Sequence, residues 1–214
     1  MKAFVISMDN EAQCLIDNLK NATEEKLFGR RVLRGELNGE NIMLVVSGIG
    51  KSNAAAATQL AIQSGATEII NVGVAGGLDA STMKVGDVYE IESAVQYDFD
   101  LTQINGTVMG TLDEYETPYI PLKTTGKFPS HFIGTGDRFN DSDADNDLIT
   151  TALGCQVRDM ECAAVAHVCD RAGVQCRAIK CISDVRGNGS APGQYVDNLR
   201  ICLKKLTSIL SEKI

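Results

Sequence analysis

A run of β-forming residues that ends abruptly on a carboxylate constrains this sequence more than any other feature. Residues 177–184 read Arg-Ala-Ile-Lys-Cys-Ile-Ser-Asp, and Gly187 follows shortly afterwards. The pattern predicts a buried strand that places Asp184 at the carboxyl edge of a sheet, where open α/β sheets bind their ligands. A rigid strand positions an acid better than a loop does, so Asp184 is a candidate catalytic residue. The alternative interpretation is an aspartate that begins a turn or caps a helix.

Two further carboxylates occupy similar places in the sequence. Residues 2–7 form a β-type run that leads towards Glu11, and an extended segment from Val157 leads into a predicted helix at Glu161. The dipole of a helix favours a negative charge at its N-terminus, which suits Glu161. Together with Asp184, these acids at the ends of predicted strands indicate one shared crevice.

Strands and helices alternate along most of the chain, with a hairpin near its start. The expected elements include a helix over residues 11–20, strands over 31–37 and 42–47, a long excursion over 101–130, and a final helix over 195–211. Asn38-Gly39 between the two strands is a strong hairpin signal, because both residues tolerate positive φ. The alternation predicts an α/β fold in a single domain, 1–214, with a mixed β-sheet sandwiched between helices.

The protein is acidic, with a formal net charge of −8 and a pI near 4.8. An acidic protein without a local basic patch is poorly suited to nucleic acid or anionic membranes, so we expect neither as a partner. The sequence has no apolar run of about 18 residues, the length that a membrane-spanning helix needs. Its first residues also lack the layout of a signal peptide. We therefore expect a cytoplasmic protein.

Residues that could hold a metal or cofactor are sparse and poorly spaced. The seven cysteines include no Cys-x-x-Cys pair, and the two histidines, His131 and His167, belong to no paired ligand motif. The cysteines therefore look like reduced core thiols, and we expect no metal. The Gly-Lys-Ser turn at 50–52 lacks the earlier glycine of a phosphate loop, and residues 73–77 lack the dinucleotide-binding spacing. We expect no cofactor.

Six segments, taken in order, resemble motifs of the nucleoside phosphorylase superfamily. They are Gly48-Ile-Gly-Lys-Ser-Asn-Ala-Ala, Asn71-Val-Gly-Val-Ala-Gly-Gly-Leu, Val85-Gly-Asp-Val, Gly134-Thr-Gly-Asp-Arg-Phe, Asp159-Met-Glu-Cys-Ala-Ala and Ile182-Ser-Asp. Because the segments extend over most of the chain, the likeness is more specific than any single motif. Within the superfamily, the sequence is most similar to bacterial methylthioadenosine/S-adenosylhomocysteine nucleosidases. The resemblance implies a nucleoside phosphorylase-like fold and a homodimer.

The resemblance also implies a reaction: hydrolysis of the N-glycosidic bond of a purine nucleoside, with methylthioadenosine or S-adenosylhomocysteine as substrate and adenine as product. Asp184 matches the general acid that protonates purine N7, and Glu11 matches the glutamate that activates water. Cleavage builds positive charge on the sugar and negative charge on the base, so a donor at the base and an anion at the sugar suit the reaction. This role requires Asp184 to be protonated near neutral pH, which burial favours.

The residues that bind the substrate are likewise assigned by resemblance. Met160 and Glu161 match the ribose-binding pair, in which the carboxylate bonds the sugar hydroxyls. Phe139 matches the aromatic side chain that stacks on the base. Asn140 matches the position at which main-chain groups contact the edge of the purine.

Val74 and Lys180 occupy two further positions of the substrate site and differ from the family pattern. The resemblance implies serine at the first position and arginine at the second. Valine has no hydroxyl group, and lysine cannot reproduce the planar, two-pronged donor of arginine. Substrate choice within the family therefore stays open.

Two alternative functions also stay open. A purine nucleoside phosphorylase would use phosphate on the same scaffold, and phosphate requires cationic and hydroxyl donors. Val74 supplies neither, so hydrolysis is favoured. The second alternative is a catalytically silent member that binds nucleosides, and the presence of Asp184, Glu11 and Glu161 speaks against it.

Overall fold

A ten-stranded mixed sheet forms the centre of the structure, a computed structural model that describes residues 1–139 and 142–212. Its strands are β1 (Lys2–Ile6), β2 (Lys20–Leu27), β3 (Arg30–Leu37), β4 (Glu40–Val46), β5 (Glu68–Gly77), β6 (Val88–Gln96), β7 (Ile120–Pro121), β8 (Ser130–Thr135), β9 (Val157–Asp159) and β10 (Gln175–Val185). The α-helices are α1 (Asp9–Ile16), α2 (Lys51–Gln63), α3 (Thr102–Asn105), α4 (Asp143–Asp147), α5 (Cys162–Arg171) and α6 (Ala191–Glu212). A π-helical turn, Leu148–Ala152, follows α4.

Strand β1 lies inside the sheet, with a parallel partner on each side. It pairs with β4 along one edge and with β5 along the other, and β3 and β2 continue the sheet beyond β4 as an antiparallel meander. On the other side, β5 pairs with both β9 and β10, and pairings through β8 and β6 return to β10. The strands β5, β9, β8, β6 and β10 therefore close into a ring at this end of the sheet.

Both faces of the sheet are buried around β1, whose apolar side chains pack alternately in opposite directions. Ala3 and Val5 belong to the apolar cluster that includes α2 and α5. Phe4 and Ile6 belong to the cluster that includes α1 and α6. Strands covered on both faces have nearly continuous apolar sequences, as β1 does. The predicted mixed β-sheet between layers of helices is thus confirmed.

The hairpin predicted from Asn38-Gly39 connects β3 to β4. Asn38 has a φ of 53° and Gly39 a φ of 84°, so both residues take the left-handed conformation that this tight turn requires. The turn sets the register of the hairpin and brings Val32 opposite Val45 in the core.

Some boundaries differ from the sequence predictions. The helix predicted over residues 11–20 ends at Ile16, and the chain enters β2 at Lys20. Strand β2 is exposed over all but its last residue, so its polar sequence lacks the apolar alternation that marks a strand. The final helix begins at Ala191 rather than at 195, and the excursion over 101–130 contains α3 and β7. No helix in the described part of the chain is long and apolar enough to cross a membrane.

All seven cysteines are buried and free, which confirms their prediction as reduced core thiols. Cys162 and Cys169 lie on the buried face of α5, and Cys202 lies on the buried face of α6. They fill the core as small apolar side chains.

Candidate active site

A cavity of about 360 Å³ lies where β1, β5, β9 and β10 end. Six of the residues named from the sequence line it, namely Glu11, Val74, Phe139, Met160, Glu161 and Asp184. The predicted shared crevice is therefore present, and the three predicted carboxylates reach it from three separate segments of the chain. Its size suits a small molecule, because ligand sites commonly start at about 300 Å³.

Glu11 lies in the first turn of α1, and two hydrogen bonds fix its carboxylate. Ser7 Oγ donates to Glu11 Oε2 at 2.6 Å, and the backbone N–H of Val74 donates to Oε1 at 2.8 Å. Burial raises the pKa of Glu11, while these two hydrogen bonds and the charge of Lys180 act in the opposite direction. Gly73 leaves room for the carboxylate, since a Cβ there would lie 3.0 Å from Glu11 Oε1.

Glu161 immediately precedes α5 and reaches across to the loop before α2. The backbone N–H of Gly50 donates to Glu161 Oε1 at 2.8 Å. Burial, reinforced by the charge of Asp159, raises the pKa of Glu161 to about 7, although Lys180 opposes the shift. A carboxyl group that titrates near neutral pH in a cleft is typical of functional sites.

Lys180 is buried behind the cavity, where it forms an ion pair with Asp159. Its Nζ lies 2.8 Å from Asp159 Oδ2, and both side chains are 2% exposed. Thr135 Oγ1 and the backbone N–H of Cys162 also donate to Asp159, at 2.6 and 2.9 Å. Burial lowers the pKa of Lys180, but the charge of Asp159 and its neighbours raises it by more. The lysine therefore supports the carboxylates, and the structure does not bring it into the lining of the cavity.

Asp184 lies at a bulge near the end of β10. The register between β10 and β5 shifts between Ile182 and Asp184, and such irregularities redirect side chains. Ser183 Oγ donates to Asp184 Oδ2 at 2.9 Å, and Arg158 Nη2 donates to Oδ1 at 3.4 Å. Asp184 is only 3% exposed. The sequence predicted the strand and its acid, whereas the bulge and the neighbouring guanidinium were not expected.

Aromatic side chains form one wall of the cavity. The rings of Phe139 and Tyr195 meet edge to face, with centroids 5.5 Å apart and an angle of 74° between their planes. Phe139 is 50% exposed and lines the cavity, so part of its side chain is available to a ligand. Met160 also lines the cavity, whereas Asn140 lies outside the described residues.

The glycine turn before α2 is occupied by carboxylates from the protein itself. Its Gly50 has a φ of 95° and donates its N–H to Glu161, while the N–H of Lys51 donates to Asp137 Oδ1 at 2.8 Å. These amides are therefore committed to carboxylates and do not form a phosphate loop. Across residues 1–139 and 142–212, no group of three or more His, Cys, Asp or Glu side chains is arranged to hold a metal ion.

The cavity residues that were not singled out from the sequence include Ser7, Arg158, Ser183 and Tyr195. Ser7 and Ser183 each stand at the end of a predicted strand beside a proposed catalytic acid, so their positions offered a usable signal. Arg158 and Tyr195 offered none, because they reach the cavity through the pairing of β9 with β5 and the packing of α6.

Comparison with known proteins identifies the family. A sequence model described as the Phosphorylase superfamily matches residues 2–214. The 5'-methylthioadenosine/S-adenosylhomocysteine nucleosidase of Anoxybacillus flavithermus is 31% identical over 88% of this chain and 87% of its own length. The corresponding enzyme of Halalkalibacterium halodurans is 36% identical over 85% of this chain and 84% of its own.

A solved structure of similar shape belongs to a protein with the same name. It is the 5'-methylthioadenosine/S-adenosylhomocysteine nucleosidase of Neisseria meningitidis in complex with methylthio-immucillin-A, which superposes with a TM-score of 0.89. That protein is 25% identical to this chain, and the match covers 99% of this chain and 96% of the other. Because the family match spans almost the whole sequence and the relatives cover most of it, the chain belongs to the phosphorylase superfamily.

Proposed function

We propose that the protein hydrolyses the N-glycosidic bond of a purine nucleoside. We further propose that it acts in the cytoplasm as a homodimer in which each chain forms a single domain, 1–214. The first candidate substrates are 5'-methylthioadenosine and S-adenosylhomocysteine, with adenine as the released base. The convergence of Asp184, Glu11 and Glu161 on one cavity carries the proposal. The names of the relatives support the choice of substrates.

Asp184 is the proposed general acid. When the bond between C1′ of the ribose and N9 of the purine breaks, its electron pair moves onto the base. A proton transferred from Asp184 to N7 neutralises the negative charge that develops there. The hydrogen bond from Ser183 to Oδ2, at 2.9 Å, fixes the orientation of the carboxyl group.

Glu11 is the proposed base that activates water. The oxygen of the water molecule forms a new bond to C1′, and its proton passes to Glu11, so the products are a free base and a free sugar. Ser7 and the N–H of Val74 hold the two carboxylate oxygens at 2.6 and 2.8 Å. This arrangement positions the carboxylate of Glu11 before substrate binds, and such positioning is a large part of the catalytic benefit of a general base.

Glu161 and Met160 are the proposed ribose contacts. A carboxylate can accept hydrogen bonds from the sugar hydroxyls and stabilise the positive charge that the sugar develops in the transition state. The N–H of Gly50 keeps Glu161 in place at 2.8 Å. Phe139 is the proposed partner that stacks on the purine ring, and its edge-to-face contact with Tyr195 supports this role.

Phosphate is a weaker candidate than water for the nucleophile. The cavity lining next to Glu11 includes the hydroxyl of Ser7, which already donates to that carboxylate, and the aliphatic side chain of Val74. A phosphate ion would be repelled by Glu11 and would find few donors there. The three carboxylates together also disfavour a catalytically silent member.

The proposed homodimer has a candidate surface in the excursion over 101–130. Ile104 is 80% exposed and Val108 is 60% exposed, and a subunit contact would cover both side chains. Light scattering at micromolar concentration is expected to give twice the chain mass of 22.9 kDa. A monomer at that concentration would contradict the proposal.

A direct test incubates the purified protein with 5'-methylthioadenosine, S-adenosylhomocysteine, adenosine or inosine, each with and without phosphate. We expect release of the base at a rate that does not depend on phosphate, together with the free sugar. A phosphate-dependent reaction that forms a sugar 1-phosphate would replace hydrolysis by phosphorolysis. Binding of a nucleoside without any released base would instead support the silent alternative.

A further inference from the structure

Arg158, Gly76 and Asp184 form a row across three neighbouring strands at the floor of the cavity. Gly76 of β5 is paired with Asp184 of β10 on one side and with Arg158 of β9 on the other. Directly paired residues of adjacent strands project from the same face of a sheet. The two charged side chains therefore meet over the glycine, and both line the cavity.

The absence of a side chain at Gly76 allows this meeting. A Cβ at this position would lie 2.9 Å from Arg158 Nε and 2.9 Å from Asp184 Oδ1, which is closer than carbon atoms tolerate. Arg158 Nη2 donates to Asp184 Oδ1 at 3.4 Å, a long contact, and Nη1 donates to Oδ1 of the buried Asn146 at 2.9 Å. The guanidinium is thus anchored at one end by Asn146 and presented beside Asp184 at the other.

The neighbouring atoms on a purine explain what this arrangement can recognise. In a 6-oxopurine, N7 and O6 are adjacent hydrogen-bond acceptors, whereas in adenine the acceptor N7 is adjacent to an amino donor. Arginine is the side chain that most often reads the N7 and O6 pair, because its donors match two neighbouring acceptors. Within the proposed reaction, Asp184 supplies the donor to N7, which leaves the adjacent atom to Arg158.

We propose that Arg158 extends the base specificity of this site to 6-oxopurine nucleosides by donating a hydrogen bond to O6. The inference rests on the proposed function, because it takes Asp184 as the group that faces N7. With an adenine nucleoside, the guanidinium stays on Asp184 Oδ1. With a 6-oxopurine, it shifts to O6, and the long 3.4 Å contact to Asp184 is the bond given up.

The test compares two nucleosides that differ only at C6, 5'-methylthioinosine and 5'-methylthioadenosine. The measured quantity is the ratio of their kcat/KM values. A substitution of Arg158 that weakens proton donation by Asp184 affects both nucleosides equally, so that effect cancels in the ratio. For the wild-type protein we expect a ratio above about 0.1, and in Arg158→Met we expect it to fall by about 10- to 100-fold, the contribution of one good base contact. A lower wild-type ratio, or a smaller fall in the variant, would overturn the proposal.

Arg138→Met is the matched control, because Arg138 also lines the cavity but donates to Asp145 rather than to Asp184. This variant removes the same charge and is expected to keep the ratio within about threefold of wild type. An equal fall in both variants would assign the effect to net charge and would also overturn the proposal.

Equilibrium binding of the free bases separates this inference from the proposed reaction. If neither nucleoside releases its base, the proposed hydrolysis fails, and calorimetry with hypoxanthine and adenine still tests the specificity. We expect the wild-type protein to bind hypoxanthine at least about one tenth as tightly as adenine, and Arg158→Lys to weaken hypoxanthine selectively, since lysine lacks the fixed fork of arginine. An equal loss of affinity for hypoxanthine and for adenine would contradict a role of Arg158 at O6.

Discussion

The backbone N–H of Val74 donates to Glu11 Oε1 at 2.8 Å, so Val74 serves the proposed water-activating glutamate through its main chain. The side chain at this position, which distinguishes the sequence from the family pattern, takes no part in that bond. Strand β5 thereby fixes a carboxylate that belongs to α1, and Ser7 fixes its second oxygen at 2.6 Å. The missing hydroxyl at position 74 is therefore compatible with a working hydrolase.

Val74→Ala is expected to keep the rate of base release within about threefold of wild type, because the donor to Glu11 is a backbone group. Gly73→Ala, at the neighbouring position, is the matched comparison for Val74→Ala. Its new Cβ would lie 3.0 Å from Glu11 Oε1 and displace the carboxylate. We expect kcat to fall at least about tenfold in this second variant. Equal losses in the two variants, measured as base release at saturating nucleoside, would contradict a main-chain role for Val74.

Ser7→Ala is expected to change the pH dependence of the reaction. The Ser7 hydroxyl lowers the pKa of Glu11 against the upward effect of burial, so its removal raises that pKa further. Glu11 must be ionised to accept a proton from water, and a higher pKa means that more alkaline solution is needed to ionise it. The acid limb of the kcat/KM profile should therefore move to higher pH, with a greater loss of rate at about pH 6 than at about pH 8. A loss of equal size at all pH values would contradict this reasoning.

Glu161→Gln is expected to stabilise the folded protein in a pH-dependent way. Because burial raises the pKa of Glu161 to about 7, the folded state holds a proton that the unfolded state releases at lower pH. The contribution of Glu161 to stability is therefore lost as the pH rises from its ordinary pKa of 4.5 towards 7. Glutamine does not ionise and can still accept from Gly50, so the variant should gain stability relative to wild type at about pH 8 and little at about pH 4.

The measurement is urea unfolding at one fixed protein concentration, because a dimer makes stability depend on concentration. For base release by Glu161→Gln, kcat should fall and KM should rise, because the lost charge both binds the sugar hydroxyls and stabilises the transition state. A variant whose stability relative to wild type is the same at both pH values would contradict the assigned titration of Glu161.

Lys180→Met is expected to lower the free energy of unfolding by about 3–5 kcal/mol, because it leaves Asp159 as an uncompensated buried charge. Asp159→Asn in the same chain removes that charge and can keep accepting from Thr135, so the double variant should be more stable than Lys180→Met alone. Denaturant unfolding of the wild type, both single variants and the double variant gives the interaction free energy between Lys180 and Asp159. Additive losses would show that the ion pair does not link the two residues energetically.

The fold and the three carboxylates were predictable because their signals are local. The apolar runs of β1 and β10 end on or near an acid, and the Asn38-Gly39 turn determines its own conformation. Strands β1, β5 and β10 are parallel and share one carboxyl edge, which brings Glu11 and Asp184 together. Glu161 reaches the same cavity by another route, because it follows β9, which runs antiparallel to β5.

Other features depend on contacts between distant segments, and the sequence carries no local trace of them. Strand β2 is exposed and polar, so neither propensity nor periodicity marks it. The ring of strands that closes through β8 and β9 brings Arg158 beside Asp184, although the two are 26 residues apart. The burial of Lys180 against Asp159 likewise follows from pairing across the sheet rather than from spacing.

The measurement that tests the central claim most directly is adenine release from 5'-methylthioadenosine by Asp184→Asn. Asparagine keeps the size of aspartate but has no acidic proton for N7, so turnover should fall by roughly 10² to 10⁴ while nucleoside binding survives. Asp113→Asn, an exposed change outside the cavity, is the control and should retain wild-type activity. A folded Asp184→Asn protein that releases adenine at nearly the wild-type rate would contradict the assignment of Asp184 as the general acid.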